Sequence, residues 1–130
     1  NSMTAAAGML YAQAQGAFRP YHDLVFERFF KRELDIEDVA AVGAVLAEAG
    51  ADIAGWPAYA AEEGPAAVRK VQTDAEAVGV FGVPTFVIDG EIFWGREHLP
   101  VITEAVAAGL SARRIHQDLL QEHAFAGSYE

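Results

Sequence analysis

Along the first eighty residues, apolar positions recur at helical spacing, and the residues that interrupt them are those that start or stop helices. Met3, Ala7, Leu10, Tyr11 and Ala14 predict a first helix that Gly16 closes. Pro20 suits a first helical position. Tyr21, Leu24, Val25, Phe26, Phe29 and Phe30 then cover well over half of a helix, a pattern that predicts burial between neighbours. Asp38 is placed to cap a third helix through Val39, Val42, Val45, Leu46 and Ala49, with Gly50 closing it in a left-handed conformation. Between Ala51 and Ala61, Asp52 is a second possible cap, but Pro57 would remove an internal hydrogen bond. That predicts a late start near Trp56 or a distorted turn. Pro65 opens a further predicted helix through Val68, Val71, Ala75 and Val78, ending at Gly79.

From Val80 the period shortens to that of a strand. Thr85–Ile88 and Glu91–Trp94 are β-prone tetrads separated by Asp89-Gly90, the pair that fits a two-residue type I′ turn, so a hairpin is predicted. Phe93 and Trp94 alternate, so one faces a core and the other the edge. Pro100 begins another helix with Ile102, Ala105 and Val106, and Ser111 is placed to cap a last one through Ile115, Leu119 and Leu120. A lone hairpin is marginal in water. Phe86 and Ile88 on one face, with Thr85 and Val87 on the other, make the first strand read as an interior strand that lacks a neighbour.

Composition narrows the chemistry. At 130 residues and 52% hydrophobic the chain is one domain's length and too apolar for disorder, and no apolar run reaches the ~20 residues of a membrane helix. Nine Lys and Arg against nineteen Asp and Glu leave a net charge of -10, which repels phosphate backbones and anionic lipid, so neither nucleic acid nor membrane is an expected partner. Asn1 to Ala7 has neither the basic start nor the apolar stretch of a secretory signal, which points to the cytoplasm. With no cysteine, these residues form no disulfide and no redox couple. His116 and His123 share a helical face beside Glu122, a weak metal pair without a third ligand. His22, among aromatic neighbours, reads as a hydrogen-bonded surface or boundary residue, and Arg28, Lys31 and Arg32 read as a solvated helix end.

The most informative stretch is Gly79-Val80-Phe81-Gly82-Val83-Pro84-Thr85-Phe86-Val87-Ile88-Asp89-Gly90, followed by Glu91-Ile92-Phe93-Trp94-Gly95. A proline just before a strand leaves the backbone N–H and C=O of Val83 extended and available to an extended peptide ligand. This arrangement resembles the cis-proline loop of the thioredoxin superfamily. It resembles most closely the DsbA-like branch that includes kappa-class glutathione transferases and 2-hydroxychromene-2-carboxylate isomerases. Pro20-Tyr21-His22-Asp23-Leu24-Val25-Phe26 and Leu34-Asp35-Ile36-Glu37-Asp38 are similar to that branch's helical insertion, so the likeness extends over roughly residues 1 to 108.

The resemblance implies an α/β protein, a partial thioredoxin-like fold dominated by its helical insertion. Residues 1–79 form that insertion, 80–109 the C-terminal ββα half and 110–130 a helical extension. The family's first strand-helix-strand unit, which carries a Cys-x-x-Cys or a glutathione-contacting serine, has no counterpart here. The resemblance also implies that glutathione is the cofactor. Val83 beside a cis Pro84 would pair with its cysteinyl part, and Arg96, Glu97 and His98 would stand where the family's ligand loop holds the γ-glutamyl end. Glu97 and His98 replace the usual Asp-Arg. The expected activity is glutathione-dependent isomerisation or transfer on a small electrophilic substrate. Two alternatives remain: a DsbA-like thiol-disulfide oxidoreductase whose cysteines lie in the absent unit, and a catalytically inert dimerising remnant. An uncovered strand edge and apolar helix faces also predict a homodimer burying at least roughly 1,600 Å², through strand 85–88 or the aromatic helix 21–30.

Overall fold

The computed structural model describes residues 1–109, so the helix expected from Ser111, the 110–130 extension and the pair His116 and His123 lie outside the described residues. In chain order the elements are α1 (Met3–Ala14), α2 (Phe18–Phe30), α3 (Val39–Glu48), α4 (Trp56–Ala61), α5 (Glu63–Ala77), β1 (Thr85–Ile88), β2 (Glu91–Trp94), a 3-10 turn (Arg96–His98) and α6 (Leu99–Ala107). They divide into two compact units, with the division after Asp74.

In the first unit α1 packs on α2, α3 and α4, with α3 also against α2 and α4. The core consists of Tyr21, Val42, Val45, Leu46 and Trp56 closed over Ala5, Ala7 and Ala12, and small residues on α1 let the helices approach closely. Gly8 is where approach is tightest: a Cβ there would lie 2.7 Å from Tyr21 Cζ and 3.1 Å from Val42 Cγ1. The Tyr21 hydroxyl donates to the Ala5 carbonyl at 3.0 Å, and burial pushes its pKa well above the ordinary tyrosine value. Trp56 Nε1 donates to the Val39 carbonyl at 2.8 Å, which satisfies the one polar atom of the buried indole.

Helix ends follow from the residues at them. Asp38 Oδ1 accepts from the N–H groups of Ala40 (2.7 Å) and Ala41 (3.1 Å), as its placement predicted. Gly50 at φ 92° ends α3 with Ala51 N–H donating to Leu46 O, a Schellman closure. Arg32 does the same for α2 at φ 61°, without glycine: Glu33 N–H donates to Arg28 O at 2.8 Å.

Three expectations shift, and a fourth, left between two outcomes, resolves. α2 begins at Phe18 and α5 at Glu63, because first-turn N–H groups have no intrahelical acceptor and Pro20 and Pro65 fit the third helical position as well as the first. α2 is not buried all round: Tyr21 and Val25 face the core, whereas Phe26, Phe29 and Phe30 are exposed. Arg28 is not merely solvated, since it crosses to α3 and donates to both oxygens of Glu48 at 2.7 Å. The stretch after Ala51 resolves as the late start, with Trp56 first in α4.

In the second unit β1 and β2 form an antiparallel pair in the register Thr85↔Trp94, Phe86↔Phe93, Val87↔Ile92, Ile88↔Glu91. Asp89 (φ 50°) and Gly90 (φ 83°) both lie in the left-handed region, as a type I′ turn requires. One face carries Phe86, Ile88 and the buried Phe93 against Ile102, Ala105 and Val101 of α6. The other carries Thr85, Val87, Ile92 and Trp94, and Val87 is 53% exposed.

Candidate functional site

The loop between α5 and β1 has two anchors. Gly79 closes α5, with Val80 N–H donating to Ala75 O at 3.0 Å, and the Thr85 hydroxyl donates to Gly82 O at 2.5 Å. Between them the chain turns at Gly82 and presents Val83, 89% exposed, followed by Pro84 across a cis peptide bond. Among the described residues, neither the N–H nor the C=O of Val83 is engaged by another backbone or side-chain group. An extended ligand can therefore take both groups, as a strand takes its neighbour.

An aromatic wall stands beside this loop. The rings of Phe81 and Trp94 are 5.3 Å apart and tilted by 46°. Gly82 passes so close that a Cβ there would come 2.7 Å from Trp94 Nε1, so this position needs glycine for the loop to lie against the indole. Phe81 and Trp94 keep exposed ring surface, which gives the loop an apolar flank.

The turn after β2 joins the same place. Gly95 N–H donates to Pro84 O at 3.0 Å, tying the start of the 3-10 turn to the residue after Val83. Gly95 holds φ 100°, and a Cβ would run into the carboxylate of Glu97. The five residues singled out from the sequence therefore fall on two segments joined by one hydrogen bond. Val83 and Pro84 are exposed at the loop tip, and Arg96 and Glu97 are exposed on the turn. His98 differs. Its ring is buried and bonded through Nδ1 to Trp94 O at 2.9 Å, so Nδ1 carries the proton and the imidazole holds the turn onto the end of β2.

Glutathione is a short extended peptide with a central thiol and a γ-glutamyl end bearing one carboxylate and one ammonium. The residues present fit it in kind: a free backbone pair at Val83, a guanidinium at Arg96 and a carboxylate at Glu97. Sequence reasoning missed Phe81, Gly82, Trp94 and Gly95 as parts of this site. The glycines carried a signal, since isolated glycines beside a strand mark close backbone approach. No cluster of metal-ligating side chains occurs among the described residues. Nor is any helix among them long and apolar enough to cross a membrane.

A loop ending in cis-proline, an antiparallel hairpin and a following helix, joined in one chain to a helical bundle, define a thioredoxin-like α/β protein of the kind that carries a helical insertion. The model of the DSBA-like thioredoxin domain matches residues 1–107, and the chain belongs to that family. No curated protein matches it.

Proposed function

We propose that this chain holds glutathione for an isomerase or transferase reaction. The observation that carries the reading is the Gly95–Pro84 hydrogen bond, which sets Arg96 and Glu97 on the segment tied to the unengaged Val83 backbone. Val83 N–H and C=O pair with the cysteinyl residue, while Arg96 takes the γ-glutamyl carboxylate and Glu97 its ammonium. Charge-assisted contacts of this kind are the stronger hydrogen bonds. When bound, glutathione supplies the thiolate that attacks an electrophilic or unsaturated substrate. Phe81 and Trp94 flank the thiol with apolar surface, which favours an aromatic or conjugated substrate and keeps water from one side of it. His98 orients the turn through its Nδ1 hydrogen bond to Trp94 O.

A second reading rests on the same Val83 pair, because backbone pairing is indifferent to ligand sequence and would equally receive a cysteine-bearing peptide, as a thiol-disulfide oxidoreductase requires. Backbone amide shifts of the full chain, titrated with reduced glutathione and separately with Cys-Gly, separate the two. The isomerase or transferase reading expects saturable shifts at Val83, Thr85 and Gly95–Glu97 with glutathione, and a weaker fit for Cys-Gly, which lacks the γ-glutamyl end. Arg96→Ala should abolish that preference. Equal affinity for both compounds would favour the peptide reading, and no localised shift at millimolar ligand would sink both.

A further inference from the structure

One helix of the first unit presents an aromatic stripe to solvent. Phe18, His22, Phe26 and Phe30 follow at intervals of four along α2, with His22 stacked on Phe26 at 4.5 Å and Phe26 6.1 Å from Phe30. Phe29 meets Phe30 edge-on at 5.4 Å. Phe30 is 74% exposed, and Phe18, Phe26 and Phe29 are each 40% or more. Beside the stripe, between α1 and α2, lies a groove of about 290 Å³ whose walls include Ala6, Met9, Phe26, Phe29, Phe30 and Ile36. Apart from Ser2, every side chain lining it is apolar. A large apolar patch of this kind on a water-exposed helix marks an interaction surface.

We propose that the occupant is a second copy of this chain, with two α2 helices antiparallel about a two-fold axis beside Phe30, so that the Phe30 ring at the rim of each groove packs into the groove of the other. The inference is independent of the ligand site.

Two observations select a like copy. The first is charge. The chain carries -10 overall, so two copies repel one another over most of their surface. Residues 18–33 hold four of its nine cations (Arg19, Arg28, Lys31, Arg32) but three of its nineteen anions (Asp23, Glu27, Glu33). This is where two copies approach with least repulsion. Around Phe30, where the two copies meet, Arg28 is paired with Glu48 and Lys31 with Glu27, so the cations of that helix end are largely balanced. The second observation is area. The exposed parts of Phe26, Phe29 and Phe30 equal more than one and a half whole side chains, on the order of 250–400 Å². The groove walls of Met9 and Ile36 extend that patch toward the roughly 800 Å² per partner of a stable interface. Knob and groove belong to one surface, which a two-fold interface requires.

Light scattering and sedimentation of the full chain test this. The expected mass is twice 13.9 kDa. Because screening weakens the mutual repulsion, the dimer should tighten as salt is raised. Phe30→Glu should weaken association at least tenfold with an unchanged circular dichroism spectrum, since that ring is exposed in the single chain. Phe30→Ser, which adds no charge, should weaken it in the same direction. Val87→Glu, on the exposed face of the hairpin, should leave it unchanged. A wild-type monomer at high micromolar concentration would overturn the proposal. So would a dimer broken by Val87→Glu and indifferent to both Phe30 variants.

Discussion

Gly8→Ala sets helix propensity against packing, and the structure decides the sign. In the middle of α1 an alanine is worth about 1 kcal/mol more than glycine, because glycine loses more backbone freedom on folding. Against that gain, the new methyl would collide with the Tyr21 hydroxyl and sit 2.7 Å from Cζ. Tyr21 cannot swing away: it is fully buried, its hydroxyl is bonded to Ala5 O at 3.0 Å, and Val42 Cγ1 closes the other side of the added Cβ at 3.1 Å. Overpacking of this kind costs about 1–3 kcal/mol, and displacing the ring also loses a hydrogen bond worth about 1 kcal/mol. Gly8→Ala is therefore expected to destabilise the protein by about 1–3 kcal/mol, read as a lower urea midpoint at unchanged slope in circular dichroism. In Gly8→Ala/Tyr21→Phe the nearest colliding atom is gone, so the double variant should lose less than the two single losses together, with a coupling of about 1 kcal/mol. An unchanged or raised midpoint for Gly8→Ala would refute the close approach of α1 and Tyr21.

Tyr21→Phe should change the alkaline limb of stability. Burial raises the folded-state pKa above the unfolded value, so wild-type stability is whole below about pH 10 and falls as pH rises beyond it; urea midpoints at about pH 8 and about pH 11 should converge in the variant. Asp38→Ala removes the acceptor for two N–H groups of α3 and should cost about 0.5–2 kcal/mol in the same denaturation, while Asp38→Asn should keep most of it. Without added thiol the 130-residue chain, which has no cysteine, should reduce no insulin disulfide; turnover in that assay would place the chemistry elsewhere. Gly95→Ala forces a left-handed φ on a side chain and drives it into Glu97, so it should weaken glutathione binding severalfold in the amide titration while β1 and β2 keep their register.

The parts of the fold legible in the sequence are those set by local chemistry. Asp38 caps because its carboxylate reaches N–H groups two and three residues ahead, and Asp89-Gly90 turns because both residues tolerate positive φ. Neither needs knowledge of the rest of the chain. The exposed stripe of α2 was not legible. Tyr21 and Val25 are as apolar as Phe26 and Phe30, and only the placement of α1 and α3 decides which side is covered. α1 hid its core face for a related reason: alanine occupies all sides, so Ala5, Ala7 and Ala12 are distinguished by contact and not by pattern. Arg32 closes α2 without the glycine that would have announced it.

At the ligand site the same division appears within a few residues. Val83 and Pro84 could be singled out because a proline ahead of a strand constrains its neighbour whatever surrounds it. Arg96, Glu97 and His98 came from position alone, and position does not say which way a side chain turns. The 3-10 turn exposes Arg96 and Glu97 and rotates His98 inward, where Trp94 O accepts from Nδ1. A histidine held in that way stiffens the turn that carries its two neighbours. Arg96 and Glu97 are long, flexible side chains, and binding costs the rotamer freedom of each. Their backbone is already held at both ends, through Gly95 N–H on Pro84 O before them and through the His98 ring on Trp94 O after them, so the ordering cost falls on the side chains alone. A ligand that pairs with Val83 meets the segment that carries the exposed Arg96 and Glu97 through the Gly95–Pro84 hydrogen bond.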